Sequence, residues 1–234
     1  FNDHKGNKST AIGHNTLVTQ DFTTSTDTLN TAVGYSAGNG VTVGKSNTLI
    51  GALAGDALTD ADFNIAIGSE ALTGDTLGSR SVAIGQHALQ VQNFTTATDV
   101  YNVAVGYDAG VAVTTGTRNT IIGGLAGDAL TTGSFSVAVG YAALSTEDTA
   151  DNNTAVGYAA LTTLNGGTQN TAVGQSAGAA MTTGIQNTIV GTNAGDALTD
   201  ADKNVAVGYA ALTADTLGSK SVAIGLGTLE AQNF

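Results

Sequence analysis

The chain has 234 residues, with 32 Gly and no Pro, Cys or Trp, and charged residues make up 11% of it, against about 25% in an ordinary domain. The net charge of −12 excludes a basic footprint for nucleic acid or anionic lipid. The absence of Cys excludes disulfides, thiolate catalysis and Cys-ligated zinc, and no run of about 20 apolar residues predicts a membrane-spanning helix.

A five-residue core recurs thirteen times along the chain and predicts a strand each time. It reads Asn or Ser, then Thr, Val or Ile, then a small or apolar residue, then Ile or Val, then Gly. The closing glycines are 17 residues apart, except for two intervals of 21 residues. They are Gly13, Gly34, Gly51, Gly68, Gly85, Gly106, Gly123, Gly140, Gly157, Gly174, Gly191, Gly208 and Gly225.

One repeat is predicted to contain the core strand, a bend at Gly, a short second strand and a polar loop. Seventeen residues are too few for a βαβ unit of about 30 residues or a helix-pair repeat of about 33. The pattern therefore predicts an all-β parallel solenoid of about 13 turns, with residues 1–234 forming a single repeat array.

The core strand is apolar on both of its faces. In one copy, Val82 and Ile84 share one side and Ala83 lies on the other. One side can face the thin interior of a solenoid, but the other needs a cover that a single thin solenoid lacks. We therefore expect a neighbouring copy of the chain to cover it.

A polar residue opens each core, and stacked turns would arrange these residues as a ladder. Asn or Ser at this corner can bond backbone groups of its own turn or of the adjacent one. The ladder consists of Asn30, Asn47, Asn64, Ser81, Asn102, Asn119, Ser136, Asn153, Asn170, Asn187, Asn204 and Ser221.

A longer period of four turns is also present. Three cores carry a large residue at the second strand position, at Leu49, Ile121 and Ile189. Each is followed by a Gly six residues later, which predicts volume matching inside one packed layer. Phe1 and Phe234 occupy the same point of the repeat as Phe22 and Phe94, so we expect the array to continue beyond both ends.

The two 21-residue intervals and the residues after the core glycines are candidates for receptor contact. Long loops on a rigid scaffold often carry binding residues. For the aromatic residues, packing along the rim or capping of a widened corner is the alternative. The candidates are Phe22, Thr23, Thr24, Phe94, Thr95, Thr96, Tyr35, Tyr107, Tyr141, Tyr158 and Tyr209.

No catalytic or cofactor site is predicted. His4, His14 and His87 have no repeated partner, and surface or turn roles are expected for them. Calcium is the one metal for which candidate ligands are found, because oxygen-rich loops can bind it. The candidate ligands are Asp56, Asp60, Asp62, Asp196, Asp200 and Asp202. Against it, the glycine-rich solenoid calcium motif is absent. Basic residues directly precede the core at Lys8, Arg80, Arg118, Lys203 and Lys220, where they can face acidic loops of adjacent turns.

The cores at 81–85, 102–106 and 153–157 resemble the head repeats of YadA-like trimeric autotransporter adhesins and the longer-period repeats of phage-type tail fibres. The resemblance covers essentially the whole chain. It implies a left-handed β-roll, a homotrimer and attachment to a surface, with a host-cell surface or extracellular matrix component as partner. The expected location is extracellular, on a cell or a virion. The 17-residue period and the lack of a heptad or neck motif depart from the adhesin pattern.

The expected function is therefore a structural and adhesive rod segment of a trimeric fibre, and not an enzyme. An alternative is a self-assembling extracellular filament or sheath subunit. A less favoured alternative is ice binding, because the Thr pairs that could order water are expected in loops rather than in a strand row. These pairs are Thr95–Thr96, Thr114–Thr115, Thr131–Thr132, Thr162–Thr163 and Thr182–Thr183.

Overall fold

The computed structural model describes residues 5–232, so the predictions for Phe1, His4 and Phe234 concern residues outside this range. The backbone forms two units, Phe1–Arg118 and Asn119–Phe234. Both units repeat one element, a three-residue strand, and no helix occurs among the described residues.

The strands are short and follow the sequence repeat. The first unit contains β1 (Gly6–Asn7), β2 (Thr10–Ile12), β3 (Thr26–Asp27), β4 (Thr31–Val33), β5 (Thr48–Ile50), β6 (Ile65–Ile67), β7 (Gly78–Ser79), β8 (Val82–Ile84), β9 (Thr98–Asp99) and β10 (Val103–Val105). The second contains β11 (Thr120–Ile122), β12 (Val137–Val139), β13 (Thr154–Val156), β14 (Thr171–Val173), β15 (Thr188–Val190), β16 (Val205–Val207) and β17 (Val222–Ile224).

Strands of consecutive turns pair in parallel and in register. In the first unit the order is β2-β4-β5-β6-β8-β10, and in the second it runs from β11 to β17. Ala155 pairs with Ala172 in the next turn, so equivalent repeat positions lie side by side. The predicted all-β parallel solenoid of about 13 turns with a 17-residue period is confirmed.

From β4 onward, the second residue of each three-residue strand is buried and faces the interior, and the first and third face outward. Ala83, Ala104 and Ala172 are fully buried, whereas Val82 and Ile84 are half-buried. The interior is narrow because the chain turns back after each Gly, so its wall takes Ala in most turns. Alternation identified the two faces, and side-chain volume decides which of them is inside.

The Gly that closes each strand has φ between 125° and 145° in all thirteen turns. This conformation is accessible to Gly and not to other residues. A Cβ at Gly157 would lie 2.4 Å from the carbonyl oxygen of Gly174 in the next turn. The invariant Gly therefore serves both the bend and the close stacking of turns.

The predicted second strand after the Gly is wrong. Those residues form a turn in which the second and fourth residues after the Gly have φ near +55°, as at Ala159 (51°) and Leu161 (49°). Two left-handed residues reverse the chain too tightly for a strand. Ala and Leu have no preference for this left-handed conformation, so the sequence does not predict it at these positions.

The polar residue that opens each core lies at a buried corner. The Asn170 amide oxygen accepts a hydrogen bond from the backbone N–H of Asn187 at 3.0 Å. Its amide nitrogen donates to the carbonyl oxygen of Gly184 at 2.7 Å. The same arrangement recurs in the first unit, where Asn30 accepts from the N–H of Asn47 at 2.9 Å. These side chains replace backbone partners that the corner would otherwise lack.

Large and small residues alternate in the interior with the four-turn period. A Cβ at Gly55 would lie 2.7 Å from Leu49, and one at Gly38, in the preceding turn, would also lie 2.7 Å from it. Seven of the ten turns with Ala on the strand place Leu at the position of Gly55, as at Leu72 and Leu89, both fully buried. The turn of Ala32 instead keeps Gly38 there, and Leu49 of the next turn fills the space beside it.

The two 21-residue turns widen into extra two-stranded sheets. β1 pairs with β3, and β7 pairs with β9, both in parallel. Phe22 and Phe94 are buried at 7% and 8% exposure at the start of the added segments. Their burial favours the capping of a widened corner over direct contact with a receptor.

Candidate functional site

The outward face of the sheet is the most regular surface of the chain. We define it as the first and third residues of the thirteen core strands, and each of these positions holds Thr, Val or Ile. Exposure at the third position is 36% at Val173 and 39% at Ile122, and it reaches 66% at Ile224 in the last strand. Because β-branched side chains are stiff at χ1, the face is pre-ordered for contact.

No charged side chain occurs at any position of the outward face. The net charge of −12 therefore lies elsewhere on the chain. Covering this face removes apolar surface from water without desolvating an ion, which makes the step favourable. The hydroxyl groups of residues such as Thr154, Thr171 and Thr188 are its polar atoms.

Aromatic residues border the outward face at the residue after six of the thirteen core glycines, and we call this set the aromatic column. Tyr35, Tyr107, Tyr141, Tyr158 and Tyr209 are 52–57% exposed. Tyr141 and Tyr158 stack on each other with ring centroids 5.8 Å apart and ring planes at 12°. All five predicted tyrosines therefore lie at the surface.

Two histidines take part in this column. His14 stacks on Tyr35 with centroids 5.7 Å apart and planes at 3°. His87 lies 6.2 Å from the Tyr107 ring, and its Nδ1 is 2.8 Å from Asp108 Oδ1. The Asp108 carboxylate raises the pKa of the Tyr107 phenol through its charge. The histidines thus belong to surface packing.

The 21-residue turns place their threonines at the surface and their charges in ion pairs. Thr23, Thr24, Thr95 and Thr96 are exposed. In the first of these turns, Lys8 Nζ lies 2.6 Å from Asp27. Such exposed pairs contribute under about 1 kcal/mol each.

Arg80 makes the matching pair in the second long turn, with Asp99. Its guanidinium also lies 5.0 Å from the Phe63 ring centroid and 6.0 Å from that of Tyr101. Lys8 and Arg80, two of the basic residues before the core, therefore meet acidic residues of the following turn.

The acidic loops weighed for calcium are used for bonds between turns. The Asp62 carboxylate accepts from the N–H of Lys45 at 2.7 Å, and that of Asp202 accepts from Ile185 at 2.9 Å. Asp56 and Asp196 accept from Thr73 and Thr213. Asp200 accepts from Thr183 at 2.6 Å, and Asp60 is exposed. Within residues 5–232 no three or more His, Asp or Glu side chains are grouped to hold a metal ion.

Three buried carboxyl groups were not predicted from the sequence. Asp75, Glu147 and Asp215 are fully buried seven residues after a core Gly. Burial raises the pKa of Asp75 and of Glu147, against the lowering effect of their hydrogen bonds. Comparison between turns could have identified them, because the equivalent position is apolar in seven other turns, four of them with Leu, at Leu58, Leu130, Leu164 and Leu198.

No helix long and apolar enough to cross a bilayer is found among residues 5–232. Comparison with protein-family models, curated proteins and solved structures finds no match for this chain.

Proposed function

We propose that the chain is a structural and adhesive segment of a homotrimeric fibre at an extracellular, cell or virion surface, in which the outward faces of three copies meet. One observation carries the proposal: an uncharged surface of Thr, Val and Ile that recurs in each of the thirteen turns. The resemblance to YadA-like and tail-fibre repeats supports the number three and the left hand.

The energy available from the outward face matches this role. Covering one half-buried Val or Ile gains up to about 1 kcal/mol, from the value for full burial of such a side chain. The second unit has ten Val or Ile side chains on this face, which therefore supply on the order of 10 kcal/mol. Association costs roughly 4–15 kcal/mol, so contact over many turns is needed and a single turn would not suffice.

Adhesion in this proposal depends on surfaces that the assembly leaves uncovered. The exposed threonines of the 21-residue turns and the tyrosine column are repeated along the chain. Weak contacts repeated on three chains act together and raise the apparent affinity. A host-cell surface or matrix component is the proposed partner.

The test is the molar mass of the chain in dilute solution, by size-exclusion chromatography with light scattering. We expect about 69 kDa, three times the chain mass of 23.1 kDa. Val156→Glu places a charge on the outward face and should reduce the mass to that of one chain. Asn165→Glu, in an exposed loop of the same turn, is the matched control and should leave a trimer. A monomeric wild-type chain would overturn the proposal.

A second candidate, ice binding, is favoured by one observation. The Thr pairs lie outside the strands, as expected, but single threonines lie in strands: Thr120, Thr154, Thr171 and Thr188 are on the outward face of four of the seven strands of the second unit. A monomer that shows thermal hysteresis at millimolar concentration would support this candidate in place of the fibre.

A further inference from the structure

Glu147 occupies a corner of the solenoid where the neighbouring turns are apolar. It lies seven residues after Gly140 and is fully buried. The equivalent positions in the preceding and following turns are Leu130 and Leu164, with 1% and 0% exposure. The carboxyl group of Glu147 therefore lies between two buried leucine side chains of the adjacent turns.

The hydrogen bonds of Glu147 satisfy only one of its two oxygens. Oε1 accepts from the N–H of Ala150 at 2.9 Å and from that of Gly166 at 3.3 Å. Oε2 is buried and accepts no hydrogen bond from any residue in the described range. An unpaired buried oxygen is costly, and more so when it carries charge.

No cation can compensate this charge locally. The segment 119–202 contains no Lys, Arg or His. The titratable groups of this turn and the two beside it are all acids. They are the carboxyl groups of Asp128, Asp148 and Asp151 and the phenols of Tyr141 and Tyr158. The surroundings therefore oppose ionisation of Glu147.

Asp75 and Asp215 show how a buried acid is accommodated elsewhere in the repeat. Oδ1 of Asp75 accepts from the N–H of Gly78 at 3.0 Å and from that of Phe94 at 3.1 Å, and Oδ2 accepts from the Gln92 amide at 2.6 Å, so both oxygens are satisfied. Asp215 has the same two kinds of partner, Gly218 and Gln232. Glu147 lacks the glutamine, because Leu164 stands in its place.

We propose that Glu147 makes its turn a pH-sensitive element of the fold: the loop of residues 145–151 is closed when Glu147 is protonated and opens locally when it ionises. This inference does not depend on the proposed fibre. It rests on the buried unpartnered oxygen, the leucines at the equivalent positions and the absence of cations in this segment.

The sign of the effect follows from the raised pKa of Glu147. A carboxyl group with a higher pKa in the closed loop than in the open one stabilises the closed loop at low pH. That stability is full below the ordinary value of 4.5 and is lost as the pH rises through the raised value. One proton changes the opening equilibrium by at most about tenfold per pH unit.

Hydrogen exchange of the Ala150 and Gly166 amides measures this opening directly, because both donate to Glu147. We expect their protection, corrected for intrinsic exchange, to fall as the pH rises from about 4.5 to 7.5, by up to about tenfold per unit. The Thr154 amide, which bonds the carbonyl oxygen of Asn170 at 2.8 Å, should show no such fall.

Glu147→Gln keeps an acceptor for the two amides and removes the ionisation, so protection should become independent of pH. Asp148→Asn, at the exposed neighbouring acid, should retain the wild-type dependence. Equal pH dependence in the wild type and Glu147→Gln would overturn the proposal. If Glu147→Gln does not fold, the wild type alone still tests the proposal. Equal pH dependence of exchange at the Ala150 and Thr154 amides would also overturn it.

Discussion

Replacing Gly157 with Ala tests the claim that this residue type is fixed by contact between turns. Gly157 has φ +135°, and a Cβ there would lie 2.4 Å from the oxygen and 2.6 Å from the carbonyl carbon of Gly174. Real Cβ contacts essentially never fall below 3.0 Å, so the turns must separate by at least about 0.6 Å.

The expected loss of stability combines backbone strain and separation of the turns. A non-Gly residue in this region costs about 1–3 kcal/mol. The separation also weakens the 2.8 Å bond from the N–H of Gly174 to Val156, which is worth about 1 kcal/mol. We therefore expect Gly157→Ala to lower the free energy of unfolding by about 2–4 kcal/mol.

Gly166→Ala is the matched control, because Gly166 has φ +92° but a Cβ added there would meet no atom within 4 Å. Its cost should be limited to the backbone strain of about 1–3 kcal/mol. Urea titration followed by circular dichroism compares the two variants. Because repeat proteins can unfold in parts, exchange of the Gly174 amide should be measured as well. Equal losses in the two variants would refute the contact argument.

Two further substitutions test the corner ladder and the interior. Asn170→Ala leaves the N–H of Asn187 and the carbonyl oxygen of Gly184 without their partners, and should lower the free energy of unfolding by about 2–4 kcal/mol. The control, Asn165→Ala in an exposed loop, should lower it by under about 0.5 kcal/mol, as surface changes do. Similar urea midpoints for the two variants would contradict the ladder. Gly55→Leu should clash with Leu49, and the double variant Leu49→Ala/Gly55→Leu, which copies the turn of Ala66 and Leu72, should recover part of the loss. A double-mutant cycle in thermal unfolding measures that recovery, and purely additive losses would rule out volume matching.

Much of the fold was predictable because the repeat is explicit in the sequence. The spacing of the core glycines gives the length of a turn, and the apolar alternation gives the strand. The parallel pairing of β13 and β14 follows, since equivalent residues such as Thr154 and Thr171 must lie side by side.

The local path after each Gly could not be predicted in the same way. The left-handed residues Ala159 and Leu161 lie where an extended strand was expected. Their conformation is imposed by the closing of the turn and by contacts between turns, and not by their own preferences. Intrinsic propensity is a weak guide wherever such contacts decide the backbone.

The buried acids were missed for a related reason. Glu147 lies within Ser145–Thr146–Glu147–Asp148–Thr149, a polar segment that is typical of an exposed loop. Its burial becomes visible only when the position is compared with Leu130 and Leu164 in the neighbouring turns. In a solenoid, the residue 17 positions away is a better guide to burial than the adjacent residue.

The interior pattern around Leu49 has a consequence for how such a chain can change in length. Removing a single turn keeps the strands in register. It can, however, bring together two turns whose large side chains compete for the same interior space, or two turns that both leave that space empty. Removing or duplicating four turns, from one large strand residue to the next at Leu49, Ile121 or Ile189, keeps the alternation of large and small residues in the interior. Viable length variants of this chain should therefore differ by blocks of 68 or 72 residues, the two spacings already present in it.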